Sequence, residues 1–199
     1  MGKISYTLFN NFKYYFLHYF CPVILIALII YIIFLIIDLK KNQSKITIKA
    51  LVNERLISLF TFSFYIFFIL QCTLFDRLFT GQRQDPLSNI FGEWIITESQ
   101  YFYNLSPIWN IVLFLPISAV FVFFIRNFKR VEITPKLILN YTLISFAFSL
   151  FIEAMQIITK LGTFQISDLV YNTLGGFLGS LIFVLAVKIR NKKRRKPND

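Results

Sequence analysis

The sequence predicts an all-α integral membrane protein, a bundle of about five transmembrane helices, and three observations carry that reading. The 199-residue chain is 56% hydrophobic, with 25 Phe and a mean hydropathy of +0.63. Only 16% of it is charged, against roughly 25% in an average soluble domain. Its apolar residues gather into long uniform runs, without the period-2 alternation of a membrane β-barrel. A soluble fold of this length could not cover so much apolar surface. Helices are the default spanning element, because each satisfies its own backbone polar groups within lipid.

Five runs approach the roughly 20 residues needed to cross the hydrocarbon core, at about 19–38, 56–75, 106–125, 137–158 and 170–187. The first has too long an apolar core for a cleavable signal peptide and no small-residue cleavage site, and Tyr19-Phe20-Cys21 is not a lipoprotein box. It reads as a retained helix. A basic, polar connector follows at 39–55, then the second span. The segment 76–105 is the longest stretch outside the spans. It opens on turn formers, Gly81 and Asp85-Pro86, and then becomes aromatic through Phe91, Trp94, Tyr101, Phe102 and Tyr103. Glu93, Thr97 and Gln100 would align on one polar helix face. An interfacial helix or re-entrant element is one reading of this outer loop, with Trp and Tyr at headgroup depth; an aromatic loop resting on the membrane is the other. The fifth span is short by strict count and is completed by Leu169 and the apolar stem of Lys188.

The net charge of +11 is distributed unevenly. Lys40, Lys41, Lys45, Lys49 and Arg55 crowd the first loop, Arg126, Lys129, Arg130 and Lys136 the third, and a Lys/Arg run from Lys188 to Lys196 the C-terminus. The opposite side holds only Lys3, Lys13, Arg77, Arg83 and Lys160. By the positive-inside rule the N-terminus is expected outside and the C-terminus in the cytoplasm. The basic tail then serves topology and contact with anionic headgroups. No aromatic or groove-reading module accompanies it, so nucleic acid is not expected as a partner. Cys21 and Cys72 read as apolar fillers. With a single His, not beside either Cys, there is no metal-ligand set. No cofactor is expected.

Glu153 stands out within this frame. It is an acid inside the run 137–158, where an ionisable side chain costs at least about 2.5–3.5 kcal/mol and therefore faces protein or a wet cavity. Gln156 lies one turn further along. Asp168 and Asn172 share a face at the start of the fifth span, and Asn110 enters with the third. Under the expected topology these five residues occupy one zone in the outer leaflet, and Glu153 is expected to be protonated or bonded to Asn or Gln groups. Gly175, Gly176 and Gly179 continue along the fifth span, where small residues let a neighbouring helix approach closely. Intramembrane Glu, Gln and Asn also serve simply to hydrogen-bond helices together, at about 0.6 kcal/mol per contact.

The stretch Asn110-Ile-Val-Leu-Phe114-Leu-Pro116, the pair Glu153-Ala-Met-Gln156, and Asp168-Leu-Val-Tyr-Asn172-Thr-Leu-Gly175-Gly176 together resemble the VanZ family. The resemblance covers about residues 56–187 and leaves the first span outside the common core. It divides the chain into an extra N-terminal helix with its connector at 1–55, a VanZ-like transmembrane domain at 56–187, and a basic cytoplasmic tail at 188–199. This chain carries Gln165 where the family usually has Asp, and Ser167 where many members have Asp. The resemblance implies a bacterial cell-membrane protein that contributes to glycopeptide resistance, teicoplanin in particular, or to cell-envelope homeostasis. An outward-facing polar site suits a partner presented in the outer leaflet, such as a lipoglycopeptide or a polyprenyl-linked cell-wall precursor.

Two other functions stand beside it. A membrane enzyme would use Glu153 or Asp168 as general acid or base, although no nucleophile–base pair accompanies them. A transporter or channel component is disfavoured by the lack of a charged path through the inner half of the spans. The charge asymmetry generates the first test. A reporter active only in the cytoplasm, fused after Asp199, is expected to be active, and a reporter active only outside the cell is expected to be silent at the same position.

Overall fold

The computed structural model describes residues 20–42, 52–75, 77, 85–94 and 105–194. Among these the chain is helical, with no strand, and five helical stretches are long and apolar enough to cross a membrane. It is a multi-pass membrane protein. The chain divides into two compact units, one up to Thr80 and one from Gly81.

The first unit contains α1 (Cys21–Asn42) and α2 (Glu54–Leu70), the latter continued by a π-helical turn at Gln71–Phe75. Asn53 caps α2, its side-chain oxygen accepting from the Arg55 N–H at 3.0 Å. This bond satisfies a backbone donor that the first turn cannot. The two helices meet through rings. Phe20 stands 5.2 Å from Phe68, and Tyr31 meets Phe60 edge-on at 6.3 Å. Cys21 and Cys72 are not joined by a disulfide.

The second unit holds α3 (Ser106–Phe114), α4 (Ile117–Ile125), α5 (Lys136–Thr159) and α6 (Ile166–Arg194). Together α3 and α4 form the third span, interrupted at Leu115–Pro116. The interruption follows from Pro116, which lacks an N–H and clashes with the preceding turn. Lys160, in the left-handed region at φ 55°, ends α5 and starts the short turn into α6.

The fifth span is longer than its apolar run. It begins at Ile166 instead of about 170 and continues to Arg194 instead of about 187. Asp168 therefore lies in the first turn of the helix, where a negative charge complements the helix dipole. At the other end the Lys and Arg residues are good helix formers, and their long stems let the helix run on past the apolar stretch. The interfacial-helix reading of the outer loop falls mostly on residues 95–104, which lie outside the described residues. Asp85–Ile90 form a turn and Gly92–Trp94 have no helical hydrogen bonds; Thr97 and Gln100 lie outside the described residues.

Helix α6 is the centre of this unit because it is narrow on two sides. A Cβ at Gly175 would strike the Ile111 carbonyl, and one at Gly179 the Leu115 carbonyl, so α3 lies backbone-to-backbone along this edge. On another edge a Cβ at Gly176 would strike the Ser145 side chain of α5. Ser145 and Ser180 turn their hydroxyls back to the carbonyls of Tyr141 and Gly176 at 2.8 and 2.6 Å, keeping this contact small. At the far end Val122, Leu137, Tyr141 and Val184 close an apolar cluster between α4, α5 and α6.

These contacts separate two glycine substitutions. Gly179→Ala meets backbone that no side-chain change can move, and is expected to cost about 1–3 kcal/mol, the range for overpacked sites. Gly176→Ala meets a side chain, so Ser145→Gly should restore most of its lost stability while leaving Gly179→Ala uncorrected. Thermal unfolding of the detergent-solubilised protein would check both.

Candidate functional site

The site is built where α5 ends and α6 begins, the end at which α3 also starts. The chain at Thr163–Gln165 is not helical, and its N–H groups point alternately to two sides, as in any extended segment. Phe164 and Ile166 donate to the carbonyls of Pro86 and Ile90 at 2.8 and 2.9 Å. Between them, the Gln165 N–H donates to Oε2 of Glu153 at 2.8 Å. The Glu153 carboxylate thus takes the place of a second neighbouring chain. It also lies at the N-terminus of α6, where the helix dipole favours an anion.

Glu153 is only 1% exposed, so this bond is what makes its position tenable, since a buried charge or polar group without a partner is costly. Its α5 neighbours on the same face, Ser145, Ser149 and Gln156, are buried as well. Asn172 of α6 donates from Nδ2 to the Ser149 hydroxyl at 2.9 Å. Glu153 follows Ser149 by one turn and Asp168 precedes Asn172 by one turn. Because α5 and α6 run in opposite directions, both acids sit on the same side of the Asn172–Ser149 bond, about 6 Å along the helices from it at 1.5 Å per residue. Asp168 accepts from Asn110 Nδ2 at 2.7 Å, which ties α3 to α6 at this level.

The residues picked out by pattern are thus brought to one end of one unit. Asn110 pairs with Asp168, Asn172 links to α5, and Glu153 and Gln156 are buried within a turn of each other. One partner of Glu153 is a backbone N–H, that of Gln165. Gly175, Gly176 and Gly179 act as the packing edges that bring the helices to this separation.

Four participants were not singled out. Ser149 recurs at helical spacing with Ser145 and Glu153, a column of small polar residues that could have marked this face of α5. Ser167, with 0% exposure, accepts from the Glu93 N–H at 3.0 Å. Gly92, at φ +73°, allows that approach, because a Cβ there would strike the Ser167 hydroxyl. Tyr171 donates its hydroxyl to the Trp94 carbonyl at 2.7 Å. Contacts between positions as far apart as Glu93 and Ser167 have no local signature.

Chemically, the cluster is a set of fixed carboxylates and amides. Among the described residues there is no group of three or more His, Cys, Asp or Glu suited to a metal ion. It can orient the polar part of a ligand or exchange a proton with it.

A profile of the VanZ/LLP1 family matches residues 20–187, a stretch that takes in α1 as well as the later spans. "Protein VanZ" of Enterococcus faecium is 33% identical over 85 residues, which is 43% of this chain and 48% of that protein. The chain thus spans about half the length of the curated relative it matches. No solved structure matches it.

The Glu153–Gln165 bond separates structural from chemical roles. Glu153→Gln keeps an acceptor oxygen for the Gln165 N–H and is expected to unfold near the temperature of the parent. Glu153→Leu leaves that N–H without its acceptor and should lose about 1–3 kcal/mol, the penalty for an unsatisfied buried donor. Thermal unfolding in detergent distinguishes the two.

Proposed function

Because the chain belongs to the VanZ/LLP1 family, we propose that it lowers the susceptibility of a bacterial cell to teicoplanin-type glycopeptides, or otherwise supports the envelope. It does so through the polar cluster of Glu153, Gln156, Asp168, Asn172 and Asn110. The observation that carries this reading is the buried Glu153 carboxylate, held by the Gln165 N–H at 2.8 Å beside a second acid, Asp168, held by Asn110 at 2.7 Å. Acids inside a membrane-spanning unit are costly and mark functional sites by default.

The charge asymmetry supports an outward direction for this end of the unit, in the outer leaflet of the cell membrane, with the C-terminus in the cytoplasm. A ligand that reaches such a site from the membrane is amphiphilic. Its polar part would meet the carboxylates and amides while its chain remained among lipid-facing side chains. A lipoglycopeptide or a polyprenyl-linked cell-wall precursor has this form. The binding reading is preferred over an enzyme because the contacts of the two acids, to the Gln165 N–H and to Asn110 Nδ2, are those of a fixed polar frame.

Susceptibility of expressing and deleted strains to glycopeptides with and without acyl tails tests the proposal. Deletion is expected to lower tolerance several-fold for acylated compounds and to leave the others unchanged. Glu153→Gln and Asp168→Asn, present at normal levels in the membrane, should each behave like the deletion. Full tolerance in both variants would remove the cluster from the mechanism. Turnover of a labelled polyprenyl-linked substrate by the purified protein would replace binding with catalysis.

A further inference from the structure

The segment Asp85–Trp94 has two edges of opposite character. Its inner edge is polar backbone bonded to the α5–α6 turn and to α6. Pro86 and Ile90 accept from Phe164 and Ile166, Glu93 donates to Ser167, and the Trp94 carbonyl accepts from Tyr171. Its outer edge carries Leu87, Phe91 and Trp94, which are 59%, 75% and 46% exposed. These three large apolar side chains stay exposed although the backbone that carries them is tied to the α5–α6 turn at one end of the segment and to α6 at the other.

The position of the strap identifies what covers that edge. It is bonded to the first turns of α6, and so lies at the end of a membrane-spanning helix. The Trp94 ring stands 6.0 Å from Tyr171. Tyr171 follows Val170, and Leu174 and Phe177 come one and two turns later; these three residues are 43%, 38% and 40% exposed on a helix that crosses the membrane. The outer edge of the strap is therefore continuous with a lipid-facing surface at the level where it ends. Trp and Tyr side chains concentrate at that level, with ring in the apolar layer and polar atoms near the headgroups.

We propose that Asp85–Trp94 is an interfacial anchor. Leu87, Phe91 and Trp94 seat in the acyl–headgroup boundary of the bilayer, and the inner edge fastens the start of α6 above Glu153. The bilayer then holds in place the same extended segment, Phe164–Ile166, from which Gln165 donates to Glu153. The position of the strap in the membrane and the geometry of the polar cluster are coupled through this segment. The proposal depends on the chain spanning the membrane and not on any role in resistance, so the susceptibility experiments and the one below can fail independently.

The chain has two Trp residues, Trp94 and Trp109. Trp109 is 64% exposed, so Trp109→Phe is a mild change that leaves Trp94 as the sole indole. The full chain carrying it is placed in phosphatidylcholine vesicles whose acyl chains are brominated either near the headgroup or near the bilayer centre. Shallow bromines are expected to quench Trp94 more strongly than deep ones, with emission to the blue of an indole in water. Tyr171→Phe and Ser167→Ala should each reduce that difference while leaving helical circular dichroism unchanged.

Water-like emission without quenching would overturn the proposal, as would stronger quenching from the deep position, which describes a re-entrant segment. Quenching that disappears as protein is concentrated in the vesicles would assign the edge to a second copy and overturn it as well. An unchanged depth contrast in both latch variants would overturn the coupling. Should Trp109→Phe fail to fold, the quenching lost on Trp94→Phe in the otherwise unaltered chain gives the same comparison.

Discussion

The hydrogen bond from the Gln165 N–H to Glu153 is the constraint on which the second unit's polar end depends. Each partner solves a problem for the other. A carboxylate inside a membrane-spanning helix needs a donor, and a backbone N–H held between α5 and the strap needs an acceptor. The neighbouring N–H groups of Phe164 and Ile166 are taken by the strap carbonyls on the other side, so the direction of the Gln165 N–H is determined by the chain on either side of it. The turn between α5 and α6, the strap and the polar cluster are consequently one connected arrangement.

That arrangement presupposes the glycine edges of α6. In lipid no hydrophobic force draws apolar helices together, and association relies on close packing and hydrogen bonds between helices. Gly175 and Gly179 bring α6 against the carbonyls of Ile111 and Leu115, and Gly176 brings it against Ser145. Bonds as short as Asn110–Asp168 at 2.7 Å and Asn172–Ser149 at 2.9 Å are reachable only at such separations. The glycines therefore bear on the site without belonging to it. Larger side chains there would move the acids and amides apart.

A cluster assembled from three helices and a loop is held in position before any ligand arrives, which lowers the ordering cost of binding. The Asn110 and Asn172 amide donors are committed to Asp168 and Ser149, while the buried Oδ1 of Asn172 accepts no hydrogen bond among the described residues. Glu153 is fixed deep in the cluster by its burial and its backbone partner. Asp168 is only partly buried and stands nearer the accessible rim.

Hydropathy alone determined the fold class and the five spans, because lipid imposes length and apolarity on each segment separately. Spacing alone grouped Glu153 with Gln156 and Asp168 with Asn172, because helix period is local. Sequence also marked Gly175, Gly176 and Gly179 as contact positions, without naming their neighbours. Tertiary structure decided the rest. It began α6 at Ile166, ahead of the apolar run, with Asp168 in its first turn paired to Asn110. It bonded Asp85–Trp94 to the α5–α6 turn and the start of α6, and it gave Glu153 a backbone donor at Gln165. Ser149, Ser167, Gly92 and Tyr171 acquired roles from residues far away in the chain. Such pairings depend on which segments the packed helices bring side by side, and no local pattern records that.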